Sequence, residues 1–377
     1  MQTHSKLCVS ARTTLSGLQE WADLPDGLLH TILHLLGSVR DLLAFSATCR
    51  SWRVAFLSYP SKSTLCTLFP PLLIQTNIRV DAPHVPSNDI HCKLRTCKVI
   101  DPSNQNITLR CQIDEEKFFF SGASYGHLIF SSNKSCVVFD LFTGVTASSP
   151  QLPFSVGTEF IYGALTSPLA SANSCLVIED GSTNLFWRVG SHSWVAHSLY
   201  HGPIKQVVVF KGQVFGIDSD RRLFKVHLTP QIRIQELPVL ESSMISRQHL
   251  SDAWLVACGD MLLLVGFHRY IVTPARTFEV FRLDVSTEPA LWLKVEKLEN
   301  WAIFISKDKR SQALSCMNPE KWGGRSNCIY CYDCKSKRWI TLGLGKPRQG
   351  PNVFVFMDCE SILQPMWVVP SMFSLHR

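Results

Sequence analysis

No stretch of this sequence stays apolar for long enough to cross a membrane: uninterrupted runs such as Met261–Val265 fall far short of the roughly 20 residues a spanning helix needs. Asp and Glu are absent from residues 1–19, and no apolar core follows Lys6 and Arg12 there, so the start of the chain does not read as a secretory signal. A transit peptide shares that lack of acid. A disordered arm over 1–19 is the expectation, because a helical pattern begins directly after it, and the protein is expected in the cytoplasm or nucleus. Its 14 cysteines are then expected as reduced thiols, and the sequons at Asn106 and Asn133 carry no information. Gly-rich phosphate loops and a Gly-x-Ser-x-Gly elbow are also missing, which leaves no nucleotide site or nucleophile to nominate. Neither an enzyme activity nor a cofactor is expected.

What the sequence has is the makings of a core. A hydrophobic fraction of 46% against 18% charged residues is the balance of a packed globular protein, and 377 residues suit two or three units. The net charge of +7 comes from small scattered groups such as Lys307, Lys309 and Arg310, or Lys335, Lys337 and Arg338. Scattered charge of that kind favours a protein partner over nucleic acid.

From Trp21 to Phe56 the apolar spacing is helical. With Leu24 at zero and about 100° per residue, Leu35, Leu28, Ile32, Leu36, Leu29 and Leu33 fall within an arc of about 180°. One packing contact needs an apolar stripe of only about 100°, so this helix is expected to contact two things. Asp23 ahead of Pro25 is the expected N-cap, Gly37 the stop, and Ser38–Asp41 a capping box opening a second helix. A third carries Cys49, Trp52 and Phe56. Three helices in 36 residues lie below the roughly 40 at which domains usually need a metal, a disulfide or a partner. A partner subunit is the simplest cover, although the segment could instead open a larger α-domain.

Leu24-Pro25, Leu28-Leu29, Ile32-Leu33, Leu36, Asp41-Leu42-Leu43, Ser46 and Cys49-Arg50-Ser51-Trp52-Arg53 resemble the F-box over residues 20–57, without a gap. The resemblance implies docking onto a Skp-type adaptor, and through it a cullin scaffold, by Leu24, Pro25, Leu28, Ile32, Leu36, Leu42, Cys49 and Trp52.

Pro60, Pro70 and Pro71 end the helical pattern, so 58–117 reads as a connector and first strands. Beyond Phe118 short apolar runs alternate with turn residues, an all-β pattern. A weak repeat ends strands at Asp140, Asp180, Asp218, Asp284 and Asp333, at intervals of 40, 38, 66 and 49 residues. A period near 40–50 suits propeller blades and gives 118–371 room for about five or six; a β-sandwich of twice the usual size is the competing architecture. Residues Gly122–Phe130, Phe139–Gly144, Phe210–Asp218, Phe278–Leu283, Asn327–Tyr330 and Trp367–Ser371 resemble plant F-box proteins with a KIB-type β-propeller. That resemblance implies a substrate-recognition subunit of an SCF-type ubiquitin ligase, with the hairpin aspartates in a structural role. Its members often have Trp where this chain has His127, a departure that puts the packing of that blade in question.

Other constellations are weaker. Cys328, Cys331 and Cys334 could suggest zinc, but side chains three apart on a strand point to opposite faces, so buried thiols are expected and no metal. His30 and His34 share a helix face but lack a catalytic Glu between them, and are expected in solvent. His91, Cys92 and Cys97 form no ligand set. Trp187, Trp194, Trp292, Trp301, Trp322, Trp339 and Trp367 could rim a binding face, but most are expected in the blade core. Three function classes therefore stand: a ligase receptor for an unknown protein substrate, a non-degradative F-box scaffold, and a propeller glycosidase with two spaced carboxylates.

Overall fold

The computed structural model describes residues 21–60, 69–80, 92–102, 106–112, 119–132, 134–153, 162–241, 250–268, 278–306, 308–333, 338–344 and 365–371. The arm expected over 1–19 lies outside them. Contacts divide the chain into two compact units, Met1–Pro60 and Ser61–Arg377.

The first unit holds a 3-10 turn, Trp21–Asp23, and three helices: α1 (Asp26–Leu35), α2 (Val39–Thr48) and α3 (Arg50–Ser58). Asp23 is not the N-cap. Pro25 holds that position, without a side-chain cap, and its carbonyl accepts the N–H groups of Leu28 and Leu29 at 2.9 and 3.1 Å. A proline suits a helix start because its fixed φ and missing N–H cost nothing there. Ser38 does cap α2: its Oγ accepts the Asp41 N–H at 3.1 Å and donates to Asp41 Oδ2 at 2.7 Å.

The second unit is a six-bladed β-propeller. Its closing blade runs outward from Met366–Val368 through Leu72–Val80 and Cys92–Asp101 to Asn106–Gln112. The second blade comprises Phe119–Ser124, His127–Ser131, Cys136–Asp140 and Thr146–Ser148, and the third Tyr162–Leu165, Cys175–Glu179, Asn184–Arg188 and Val195–His197. The fourth runs from Gln206–Phe210 through Gln213–Ile217 and Leu223–His227 to Arg233–Leu237. Leu250–Cys258, Met261–His268, Phe278–Asp284 and Ala290–Lys294 make the fifth, extended at its edge by Val239–Glu241. In the sixth blade the innermost strand, Leu314–Met317, follows Trp301–Ile305 in sequence, and the latter pairs in parallel with Cys328–Asp333 before Arg338–Gly343 completes the sheet. The double sandwich is thus excluded, and the region read as connector and first strands supplies three strands of one blade.

Middle strands are buried on both faces because each sheet is packed between two others. In Cys175–Glu179, Leu176 and Ile178 share a cluster with Ile129 and Val138 of the second blade, while Cys175 and Val177 share one with Val214 and Phe224 of the fourth. This two-sided burial accounts for the continuous apolar runs. Outermost strands such as Arg233–Leu237 are largely exposed and polar.

The hairpin aspartates act as turn locks. Oδ1 of Asp140 accepts the N–H groups of Phe142 and Thr143, and that of Asp180 those of Ser182 and Thr183. Asp218 Oδ1 accepts from Asp220 and Arg222, and Asp284 Oδ1 from Ser286. The side chain of Asp333 lies outside the described residues. Asp140 and Asp284 close third strands, whereas Asp180 and Asp218 follow second strands; that change of position lengthens the interval from Asp218 to Asp284, and the longer strands and connections of the fifth blade add the rest.

His127 fits its blade as a neutral ring. It is 1% exposed; Nδ1 donates to the Tyr125 carbonyl at 2.8 Å, and Nε2 accepts the Leu169 N–H at 3.4 Å. Asp140 Oδ2 lies 3.5 Å from Nε2 and also accepts the Ser371 hydroxyl at 2.7 Å. Burial lowers the imidazole pKa, outweighing the opposing pull of the Asp140 carboxylate.

Two predictions follow from this packing. Trp367 is 3% exposed and its ring lies 4.4 Å from Trp339 and 4.9 Å from Phe304 of the sixth blade, centroid to centroid. Trp367→Ala is expected to lower propeller stability by about 3–5 kcal/mol in denaturant unfolding. For His127 the folded pKa lies below the ordinary value of 6.5, so between the two values the unfolded chain binds more protons than the native one. The stability His127 contributes is present above 6.5 and is lost as pH falls through the folded pKa; His127→Gln should show a shallower acid slope of the unfolding free energy.

Candidate functional site

Across α1 the exposure of apolar side chains falls in the order the helical wheel dictates. Leu35 is 77% exposed and Leu28 53%, Ile32 and Leu36 are half-buried, and Leu29 and Leu33 are fully buried. One half of the wide arc therefore serves the helical unit and the other half faces out. Trp21, 74% exposed, and Val54 add to the outward apolar surface.

Among the residues expected to meet an adaptor, Pro25 and Leu28 are exposed, and Leu24, Ile32, Leu36, Cys49 and Trp52 are half-buried. Leu42 is fully buried within the helical unit. Leu35 and Trp21, outside that set, are more exposed than Leu28 within it. Trp52 also has an internal task, since its Nε1 donates to the Trp21 carbonyl at 2.8 Å and its ring lies 4.6 Å from Phe45. Arg53 Nε donates to the Ser46 carbonyl at 3.2 Å, so the signature around Cys49 stitches α3 to its neighbours. His30 is not in solvent as expected: its Nε2 bonds the Ala55 carbonyl at 3.0 Å. His34 is exposed.

In the propeller, charged side chains meet from the inner strand of the fifth blade (Asp252), the second strand of the third (Glu179) and the loops before two inner strands (Lys205, Asp308, Lys309 and Arg310). Gly122 is required there, because a Cβ on it would overlap the Gly163 carbonyl oxygen. Nearby, the Ala123 N–H donates to the Arg310 carbonyl at 2.8 Å. Lys205 Nζ donates to Glu179 Oε1 at 2.5 Å, and the Gly181 N–H donates to the same oxygen at 2.6 Å. Lys309 Nζ lies 3.3 Å from Asp252 Oδ1, and Arg310 forms a two-pronged pair with Asp308. Gln206 joins the fourth blade to the fifth, donating to the Ala253 carbonyl at 2.7 Å and accepting the Leu255 N–H at 3.1 Å. Beside them is a cavity of about 290 Å³ whose polar lining is Tyr162, Lys205, Gln206, Asp218, Ser219, Arg221 and Lys309, with Ile217 and Ala253 as its apolar part. Burial, followed by the Asp308 carboxylate, raises the Tyr162 pKa, so its hydroxyl keeps its proton at neutral pH.

Cys328 and Cys331 belong to different core clusters, as opposite strand faces require. Cys334 and His91 lie outside the described residues. Of the tryptophans considered for a rim, Trp187, Trp292, Trp339 and Trp367 are buried and Trp194, Trp301 and Trp322 half-buried; all seven pack into the blades.

Residues 99–357 match the family model of the KIB1-4 β-propeller, which spans well over half of the chain. The chain belongs to the KIB1-4 β-propeller family. Residues 21–59 of this KIB1-4 propeller protein match the F-box-like model. Among solved structures, the N-terminal domain of Nup159 is similar at 10% identity, covering 60% of this chain and 68% of that one with a TM-score of 0.33. The WD40 domain of SCAP from fission yeast is similar at 12% identity, covering 68% of this chain and 62% of that one with a TM-score of 0.31. No curated protein matches the chain.

The contrast between Leu42 and Leu35 can be measured in this KIB1-4 family member. Leu42→Ala is expected to cost about 2–5 kcal/mol, read as faster amide exchange of α1–α3 in the full chain, whereas Leu35→Ser should change it by less than about 0.5 kcal/mol.

Proposed function

We propose that this protein is the substrate-recognition subunit of an SCF-type ubiquitin ligase. The F-box-like module binds a Skp-type adaptor, which joins it to a cullin scaffold, and the propeller holds a protein substrate near the ubiquitin-charged enzyme. The observation that carries this reading is the outward half of α1. Leu28 and Leu35, one heptad apart, sit in water, and Trp21 is exposed as well; each such side chain gains about 1.5–3 kcal/mol when covered. The protein's own contribution is positioning, which raises the effective concentration of one reactant near another.

Co-expression with a Skp-type adaptor tests the first half of the claim. The wild-type chain is expected to retain the adaptor, and Leu28→Lys with Leu35→Lys to weaken retention by at least about tenfold while the propeller stays folded. Equal retention by both refutes the docking face. A reconstituted ligase tests the second half: captured proteins that are held but never ubiquitinated would turn the reading into that of a non-degradative scaffold.

A further inference from the structure

Resting on the reading of the propeller as the partner-binding unit, we propose that the cavity of about 290 Å³ beside the propeller axis receives an anionic side chain of the protein partner, a carboxylate or a phosphoester. Three of the nine lining residues carry positive charge. Lys205, Arg221 and Lys309 reach it, and among the described residues Asp218 is the one carboxylate that lines it, while Glu179 and Asp252 pair with the two lysines and Arg221 donates to the Leu250 carbonyl. Asp218 is already engaged: its Oδ1 takes the N–H groups of Asp220 and Arg222, and its Oδ2 takes Arg222 Nε at 2.7 Å.

The two lysines hold donors in reserve. Lys205 Nζ spends one N–H on Glu179, and Lys309 Nζ stands against Asp252 and 5.8 Å above the Trp254 ring; an ammonium has three donors. Glu179, itself 2% exposed, fixes where Lys205 stands. The protonated Tyr162 hydroxyl and the exposed Ser219 are further polar groups on the same wall. Ammonium groups bind carboxylate and phosphate through short charge-assisted hydrogen bonds. A compact, partly open cavity suits one anionic group on a short stem, whereas a nucleic acid strand needs a groove that follows successive phosphates.

Calorimetric titration of the full chain tests this with four probes: a capped peptide carrying one phosphoserine, the same peptide with glutamate, inorganic phosphate, and a short oligothymidylate. One of the two peptides is expected to bind, and Lys205→Met with Lys309→Met to weaken it by at least about tenfold. Lys294→Met, which removes a lysine on the fifth blade outside the cavity, should leave it unchanged. Preference for phosphoserine assigns a phosphoester, and preference for glutamate a carboxylate. The proposal is overturned if neither peptide binds, if the lysine pair makes no difference, if free phosphate binds as tightly as either peptide, or if the oligonucleotide binds more tightly. Adaptor retention measured on the same samples separates the two claims: lost peptide binding with intact retention removes only the pocket, and absent retention with intact peptide binding removes only the ligase role.

Discussion

Every blade of this propeller depends on a three-residue pairing. Met366–Val368 lies against Leu72–Ile74, with Leu72 opposite Val368, Leu73 opposite Trp367 and Ile74 opposite Met366, and this contact turns a row of sheets into a ring. An open row would leave a sheet face and a strand edge at each end in water. Closure is reinforced on both sides. Trp367 enters the cluster shared with Phe304, Tyr330 and Trp339 of the sixth blade, and Ser371 bonds Asp140 in the second. Gly126 serves the same seam: its φ of +75° favours glycine, and a Cβ there would stand 2.7 Å from the Val369 carbonyl oxygen.

The helical unit is held by a different logic. Its three helices are too short to bury all the apolar surface they carry, and α1 divides that surface between the interior and the outside. Leu29 and Leu33 stabilise the unit, while Leu28 and Leu35 leave it incomplete. Apolar surface left in water at a regular helical spacing marks a face made for covering.

Much of this was readable from residue order. Helical period gave the three helices and the excess apolar arc, and the hairpin aspartates gave the turns, because both are local features. The blade register was harder: an aspartate locks any tight turn, whether it follows the second strand, as at Asp218, or the third, as at Asp284. The closing blade was hidden for a non-local reason, since its inner strand lies nearly 300 residues from its neighbour. The cavity lining was invisible too, as Tyr162, Lys309 and the pair Lys205 and Arg221 come from three different blades that only the ring brings together. Leu42, named from the motif, is buried inside the motif's own fold, a placement that residue order alone does not distinguish from an outward one.

The joining of distant strands has a consequence for synthesis. A ribosome adding about 5–20 residues per second needs about 15–60 s to travel from Leu72 to Met366, and longer before the end clears the exit tunnel. Through that interval Leu72–Val80 has emerged without its final neighbour, an open edge able to pair with a nascent chain nearby. Birth, rather than heat or denaturant, is the moment at which this molecule most needs an escort.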